Sequence, residues 1–378
     1  MTTPRRAPEV LLRRYWEDPD TPVVTAGLSA LSVAYRAALA VRDCAYRWGL
    51  LRTGRLPCPV VSVGNLTLGG SGKTPTVEAV VQTLQGLSHE TGALPAVVSR
   101  GYGRGTRGVH VVSDRDGIRV DARTAGDEPL LLAERLPGVP VVVGENRYEA
   151  ALAAVARCGA TVIVLDDGFQ HRTLAKDLEI VVVQGRAPWG NARVFPRGML
   201  REPLSGLARA HAVVVTNPAG ADTVETVTGT VRRFNASAAV LAGHYQLQDA
   251  IETSSGRRVP VADLAGRRLM AFAGLGSPQG FADTLDTARI RRVGFVEFPD
   301  HHWFTPGDLA ELVRDARAAS AQGLVTTEKD WIRVRDLPPP ALPLWVLPMR
   351  LVIDSGLDTW QRLLAGILAP TALGRPGS

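Results

Sequence analysis

The sequence predicts an α/β protein: a mainly parallel sheet flanked by helices, with a phosphate-binding turn, and a second, smaller α/β domain after it. Three observations predict this. The run PCPVVSVGN leads straight into the Gly-rich stretch LTLGGSGKTP, and TPTVEAVVQTLQGL follows with Val77, Val80, Val81 and Leu84 on one helical face. Short, continuous apolar runs then alternate with helical patterns, as strands buried on both faces of a parallel sheet do. A second series of such runs begins beyond about residue 210.

The chain has 378 residues, enough for two domains, and its 45% hydrophobic and 21% charged composition is globular. A formal charge of +6 suits anionic partners, but no nucleic-acid motif accompanies it and none is expected as a partner. Arginine numbers forty and lysine three, Lys73, Lys176 and Lys329, so a lysine within the Gly-rich loop stands out. A compact ammonium suits crowded phosphate oxygens better than a planar fork does. Cys44, Cys58 and Cys158 form no close-spaced pair, which suits a reducing compartment. The first residues, MTTPRRAPEVLLRRYW, lack a charged start followed at once by an apolar run, so a cleaved signal peptide is not expected.

Thr21–Tyr35 is uncharged and largely apolar until Arg36 interrupts it. These fifteen residues fall short of the roughly 20 needed to cross a bilayer as a helix. Arg42, Arg47, Arg52 and Arg55 follow among apolar residues, a pattern that fits either a helix on a membrane surface or one packed on the domain.

Strands are expected at Ala96–Ser99, Val109–Ser113, Val139–Gly144, Thr161–Asp167, Glu179–Gln184 and Ala212–Asn217. EPLLLAERL and NRYEAALAAVARC read as helices between them. In the second series AVLAG, LMAFAGLG, VGFVEF, GLVTTEKD and LWVLPM read as strands, with helices at Gly280–Thr287 and Pro306–Ser320.

The Gly-rich loop departs from the usual G-x-x-x-x-G-K-[ST], because Thr67 occupies the first Gly position. Backbone N–H groups of such a turn, at a helix N-terminus, attract an anion. The expected nucleotide contacts are Thr67, Gly69, Gly70, Ser71, Gly72, Lys73 and Thr74, with Lys73 on the β/γ-phosphates and Thr74 on Mg²⁺. TVIVLDD ends a strand in Asp166 and Asp167, and adjacent strand residues point to opposite faces, so one of the two is expected to face the metal. The nearest approach to the guanine-reading N-K-x-D is Thr327-Glu328-Lys329-Asp330, which favours ATP. The polar runs SRGYGR, GDEP, GENR, LREP and PDHHWF fall at expected strand ends, where open α/β sheets bind ligands.

Taken together, VGNLTLGGSGKTP, SRGYGR, AGDEPLLLA, LDDGFQH, DLEIVVV, LREP, AFAGLG, FPDHHWF and TTEKD resemble the tetraacyldisaccharide 4′-kinase family in order, over roughly residues 57–335. The Thr at the first Gly position is that family's own form of the loop. Two features differ from it: Gln184 stands where an acidic residue is usual, and GNARVFPRGMLREP replaces the more usual GNG…PAGPLREP.

The resemblance implies a P-loop NTPase-type fold that phosphorylates the 4′-hydroxyl of a tetraacylated disaccharide 1-phosphate from ATP and Mg²⁺. It also implies work at the cytoplasmic face of the bacterial inner membrane, with no obligate protein partner. Asp127 becomes the general base with His301 orienting it, and Asp166, Asp167, Thr74 and Glu202 the Mg²⁺ shell. Arg100, Arg147 and Arg201 become charge-offsetting or substrate residues, while His171 and His302 are read as structural. The expected division is 1–56 as an N-terminal membrane-surface helix, 57–210 as the kinase domain and 211–378 as a smaller domain closing over the active site. Two other classes remain to be separated: a P-loop switch ATPase acting on a protein partner, and a basic binding module that carries a nucleotide.

Overall fold

The computed structural model describes Trp16 and residues 22–69, 72–276 and 278–369. Two of the expected nucleotide contacts, Gly70 and Ser71, lie outside the described residues. The chain forms two compact units: one from Met1–Arg100, Asn146–His244 and Ile353–Ser378, the other from Gly101–Glu145 and Tyr245–Val352. This differs from the linear division at residues 57, 210 and 378, because Gly101–Glu145 leaves the first unit and packs with the later residues. Charged side chains far apart in sequence hold that excursion: Glu128 meets Lys329 at 2.9 Å, and Arg135 pairs with Glu328.

The first unit is a parallel sheet in the order Ala239–Leu247, Ala212–Thr216, Leu178–Gln184, Val60–Gly64, Val162–Asp166, Pro95–Ser99. Its strands read as unbroken apolar runs because both faces are covered: every residue of Val60–Gly64, Val162–Asp166 and Ala212–Thr216 is buried. Val60–Gly64 sits between two strands that come later in the chain, so the order reverses there, and the phosphate loop opens from its carboxyl end. Lys73–Gly86 is the helix that follows, burying Val77, Val80, Val81 and Leu84 as its spacing predicts.

The N-terminal helix is longer than its apolar run: it spans Pro22–Arg47, 26 residues, and continues through Arg36. Val24–Arg47 is long and apolar enough to cross a membrane by length and composition, so the fifteen-residue count understated it. Alanine, leucine and arginine are all good helix formers, so one Arg does not end the element. One face docks on the unit: the buried Ser32 hydroxyl donates to the Val194 carbonyl at 2.8 Å, and Tyr35 donates to the Arg201 carbonyl at 3.0 Å. Leu31, Val33 and Val41 stay exposed.

In the second unit a six-stranded sheet runs Arg258–Val259, Ala250–Glu252, Leu344–Leu347, Gly323–Thr327, Arg268–Ala273, Arg291–Glu297, the last four parallel. Its two sides are filled by clusters around Phe281 and Trp345, and around Phe272 and Phe304. The strands expected at Val109–Ser113 and Val139–Gly144 exist as His110–Asp114 and Val141–Val143, but they pair antiparallel with each other. A short apolar run does not report strand direction, so sequence alone groups these two with the parallel series.

Candidate functional site

Chemistry-bearing side chains gather in two places, one in each unit. In the first, Gly72 in the left-handed region (φ 79°) caps the Lys73–Gly86 helix and turns its first N–H groups outward. Thr67 is not in that turn. It bridges to Leu200 as an extended, antiparallel pair, with Leu68 N–H donating to Met199 O at 2.7 Å and Arg201 N–H to Leu66 O at 2.7 Å. An extended residue needs no glycine, so the missing Gly is accounted for.

Lys73 Nζ lies 3.4 Å from Asn65 Oδ1 and 3.7 Å from Asp167 Oδ1. Arg201 Nη1 donates to both Asp167 oxygens at 2.9 and 2.8 Å. Burial alone would raise the Asp167 carboxyl, but Lys73, Arg201 and Arg147 outweigh it and bring it to about 2. Asp167 itself sits at φ 51°, an uncommon backbone for a non-glycine residue. Arg147, at the start of the Arg147–Cys158 helix, is buried, while Arg100 is exposed at the end of its strand. Burial, then the charges of Arg147, Lys176 and Arg100, hold His171 down near 4, so it is neutral at pH 7.

Asp166 points elsewhere: it is buried at its strand end, and Ser99 Oγ donates to its Oδ2 at 2.9 Å. Mg²⁺ takes one or two carboxylates and hydroxyls and keeps its remaining positions for water and phosphate. A carboxylate at a strand end and the Thr74 hydroxyl on the loop helix are donors of that hard-oxygen kind. Asp167 and Glu202, expected in the same shell, are engaged by cations. Arg209 Nη2 donates to both Glu202 oxygens at 2.9 Å, and Gln170 Nε2 reaches Glu202 Oε1 at 3.0 Å. Gln170 also donates to Asn65 O at 2.8 Å, so Glu202 braces the strand end that carries Asn65.

The second gathering surrounds Asp127, the first residue of the Asp127–Arg135 helix, which is 3% exposed. Gly126 before it has φ 92°, and a Cβ there would stand 2.9 Å from the Tyr102 carbonyl, so only glycine admits this entry to the helix. His301 Nδ1 lies 3.1 and 3.0 Å from the two Asp127 oxygens. A carboxylate only accepts, so Nδ1 carries the proton. His301 holds φ 57°, and its ring centre is 5.1 Å from that of Tyr102.

Behind the pair, Arg333 Nε stands 3.5 Å from Asp127 Oδ2. Arg333 Nη2 donates to Asp330 Oδ1 at 2.6 Å and to Gly274 O at 3.0 Å. Lys329 Nζ lies 2.9 Å from Glu128 and 3.2 Å from Asp300. Burial pushes Asp127 up, but the His301 hydrogen bond, Lys329, the His301 charge and Arg333 together bring it to about 2. Burial works against a charged His301, yet the Asp127 hydrogen bond holds it above the usual imidazole value. His302 instead stacks on Phe298 at 4.9 Å and reaches Asp308 at 3.1 Å.

The family resemblance points to Asp127 and His301 but not to the Lys329 and Arg333 that charge their surroundings, nor to Asn65, Gln170 and Ser99 behind the loop. A signal for Lys329 was present. All three lysines prove to face carboxylates: Lys73 on Asp167, Lys176 on Glu179 and Lys329 on Glu128.

The chain is similar to known proteins over most of its length. Residues 24–367 match the family model described as tetraacyldisaccharide-1-P 4′-kinase. A tetraacyldisaccharide 4′-kinase of Syntrophus aciditrophicus is 40% identical over 352 residues, covering 90% of this chain and 93% of the relative. One from Anaeromyxobacter dehalogenans is 41% identical over 327 residues, covering 85% of each. Among solved structures, the "apo" form of LpxK from Aquifex aeolicus in complex with ATP superposes with a TM-score of 0.72 at 30% identity, over 91% of this chain and 99% of that one.

Proposed function

The chain belongs to the tetraacyldisaccharide-1-phosphate 4′-kinase family, and we propose that it transfers the γ-phosphate of Mg-ATP to the 4′-hydroxyl of a tetraacyldisaccharide 1-phosphate, a lipid A precursor. A relative of this fold binds ATP, and the glycine turn, Lys73 and helix N-terminus here supply what a triphosphate needs. The observation that carries the kinase reading over a switch ATPase is the buried Asp127–His301 pair, a proton acceptor with its orienting group.

In this reading an O4′–Pγ bond forms as the bond from Pγ to the β-phosphate oxygen breaks, and the hydroxyl proton passes to Asp127. A carboxylate held near pKa 2 is a weak base in the resting state. That suffices where the transition state is loose, because the hydroxyl gives up its proton late and only as O4′ bonds phosphorus. His301 fixes the carboxylate's orientation. Lys73 lies against the β/γ-phosphates, with Arg201, Arg147 and Arg100 offsetting charge. Thr74 and Asp166 would hold Mg²⁺, which when bound neutralises the β- and γ-oxygens. Asp167 keeps Lys73 and Arg201 in place, and Glu202 supports Asn65 from behind.

The acceptor is acylated, so the enzyme works at a lipid surface, here assigned to the cytoplasmic face of the inner membrane. The Pro22–Arg47 helix is the contact. Its Ser32 and Tyr35 bonds to the folded unit favour lying on the surface over spanning it, since a spanning helix would give up that face to lipid.

An Asp127→Asn variant tests the kinase reading. ATP binding by calorimetry should be retained within about threefold while lipid phosphorylation falls on the order of 100-fold or more. Equal transfer by variant and wild type would remove Asp127 from the proton transfer, and ATP hydrolysis by the wild type with no lipid phosphorylated would return the switch ATPase to first place.

A further inference from the structure

Between the Pro22–Arg47 helix and the segment 191–204 lies a cavity of about 250 Å³. Arg36 on the helix and Arg193 and Arg197 on the segment line it, with Ser29, Ser32 and Leu200, and among the described residues no carboxylate contributes to its wall. None of the three guanidinium groups makes a hydrogen bond or ion pair among the described residues. Their neighbours behave otherwise: Arg42 and Arg172 sit on Asp43 at 3.4 and 3.3 Å, Arg201 on Asp167, and Arg209 on Glu202. Three like charges around one concavity repel, and an anion placed there offsets all three.

The cavity wall is tied down. Asn191 Nδ2 donates to Arg197 O at 3.0 Å, and its Oδ1 accepts from Arg193 N–H at 3.2 Å, so one side chain fixes the backbone at both arginines. Gly198 lets Asn191 in, since a Cβ there would meet its Oδ1 at 2.0 Å. On the helix side Ser32 is anchored to Val194 at 2.8 Å. Beside the cavity the helix presents bare apolar side chains, Leu31 and Val33 at 60% and 64% exposed, in a stretch that carries no charge before Arg36. Apolar residues that meet acyl chains, with an arginine following at headgroup depth, are what an interface asks for.

We propose that this cavity seats the phosphate of an anionic phospholipid headgroup, gripped by Arg36, Arg193 and Arg197, and so sets how the enzyme stands on the lipid surface. The assignment rests on the proposed membrane-surface reading.

Vesicle sedimentation of the full chain tests it, with phosphatidylcholine alone and with phosphatidylcholine containing phosphatidylglycerol. The wild type should bind the anionic vesicles at least tenfold more tightly. Each juxtamembrane arginine is worth roughly fivefold, so Arg36→Gln/Arg193→Gln/Arg197→Gln should lose on the order of 100-fold on them. Arg157→Gln/Arg232→Gln/Arg233→Gln, which removes the same charge from exposed positions elsewhere, should lose less than about threefold, and both variants should melt with the wild type. Equal losses in the two triple variants would overturn the site in favour of general attraction, as would equal wild-type binding to both vesicles. If the wild type binds neither, the membrane-surface reading falls and takes the site with it. Displacement by millimolar inorganic phosphate would reassign the cavity to a soluble anion. A raised KM for the acceptor in neutral micelles, with vesicle binding intact, would reassign it to the acceptor's own phosphate.

Discussion

His301 Nδ1 stands 3.1 and 3.0 Å from the two carboxylate oxygens of Asp127, at a point where Asp127 is buried and two further cations, Lys329 and Arg333, act on it. The pairing is therefore electrostatic as well as orienting. Removing His301 should lower lipid phosphorylation on the order of 100-fold, the lower end of what a positioned proton-transfer partner contributes. His301→Ala should also move the acid limb of the pH–rate profile upward, because Asp127 loses the largest influence holding its pKa down. An unmoved acid limb would contradict the pairing.

The same pair makes stability depend on pH in two opposite senses. Asp127 is lowered on folding, so its contribution is present above the unfolded value of roughly 4 and is lost as pH falls toward about 2. By linkage it is worth on the order of 2 kcal/mol at neutral pH. His301 is raised on folding, so its contribution is complete below the unfolded value of roughly 6.5 and fades as pH rises through the folded value. Urea unfolding at a series of pH values, wild type beside His301→Ala, should show the variant losing less stability between neutral and mildly alkaline pH.

Arg201 meets both oxygens of Asp167 through a single nitrogen, Nη1, at 2.9 and 2.8 Å, a contact that a lysine ammonium can also make. Arg201→Gln should therefore cost roughly tenfold or more in kcat/KM for ATP, and Arg201→Lys clearly less. Equal losses in the two variants would show that the guanidinium itself, and not its charge alone, is needed.

Glu202 separates the bracing role from a metal role. Glu202→Gln leaves Arg209 only the more distant carboxylate of Glu179, at 3.8 Å, and should cost roughly 1–3 kcal/mol of stability, read by thermal unfolding. The Mg²⁺ concentration for half-maximal activity should stay within about twofold. Asp166→Asn should raise it severalfold. Exchange of those two outcomes would return Glu202 to the metal shell.

Gly126→Ala places a methyl group 2.9 Å from the Tyr102 carbonyl and forces alanine into φ 92°. It should destabilise the protein by roughly 1–3 kcal/mol and lower transfer further than the stability loss explains, because the Asp127 helix starts there. Melting temperature and single-turnover rate, measured on the same preparation, separate the two effects.

Much of the fold was legible in the sequence, and the reason is physical. Apolar runs such as VVSVG and VIVLD can only be strands covered on both sides, and Val77, Val80, Val81 and Leu84 can share a buried face only as a helix. Strand direction left no such mark, so His110–Asp114 and Val141–Val143 were assigned to the parallel series although they pair antiparallel. Nor did chain path: Gly101–Glu145 joins the later unit through ion pairs such as Glu128–Lys329, which span 201 positions and have no local signature. At the site, motif spacing points to Lys73 and to the Asp166–Asp167 pair, and the family resemblance to Asp127. What Glu202 does depends on its contacts with Arg209 and Gln170, which composition cannot show. The helix Pro22–Arg47 ran past Arg36 because an arginine costs a helix little, whereas the apolar count stopped there.

The most direct measurement is the product itself. The protein is incubated with Mg-ATP and a tetraacyldisaccharide 1-phosphate in detergent micelles, and the lipid extract is examined by ³¹P NMR. The account predicts a second phosphomonoester on the 4′-carbon beside the anomeric phosphate, formed by the wild type and nearly absent with Asp127→Asn. ATP consumed without any new lipid phosphate would contradict it.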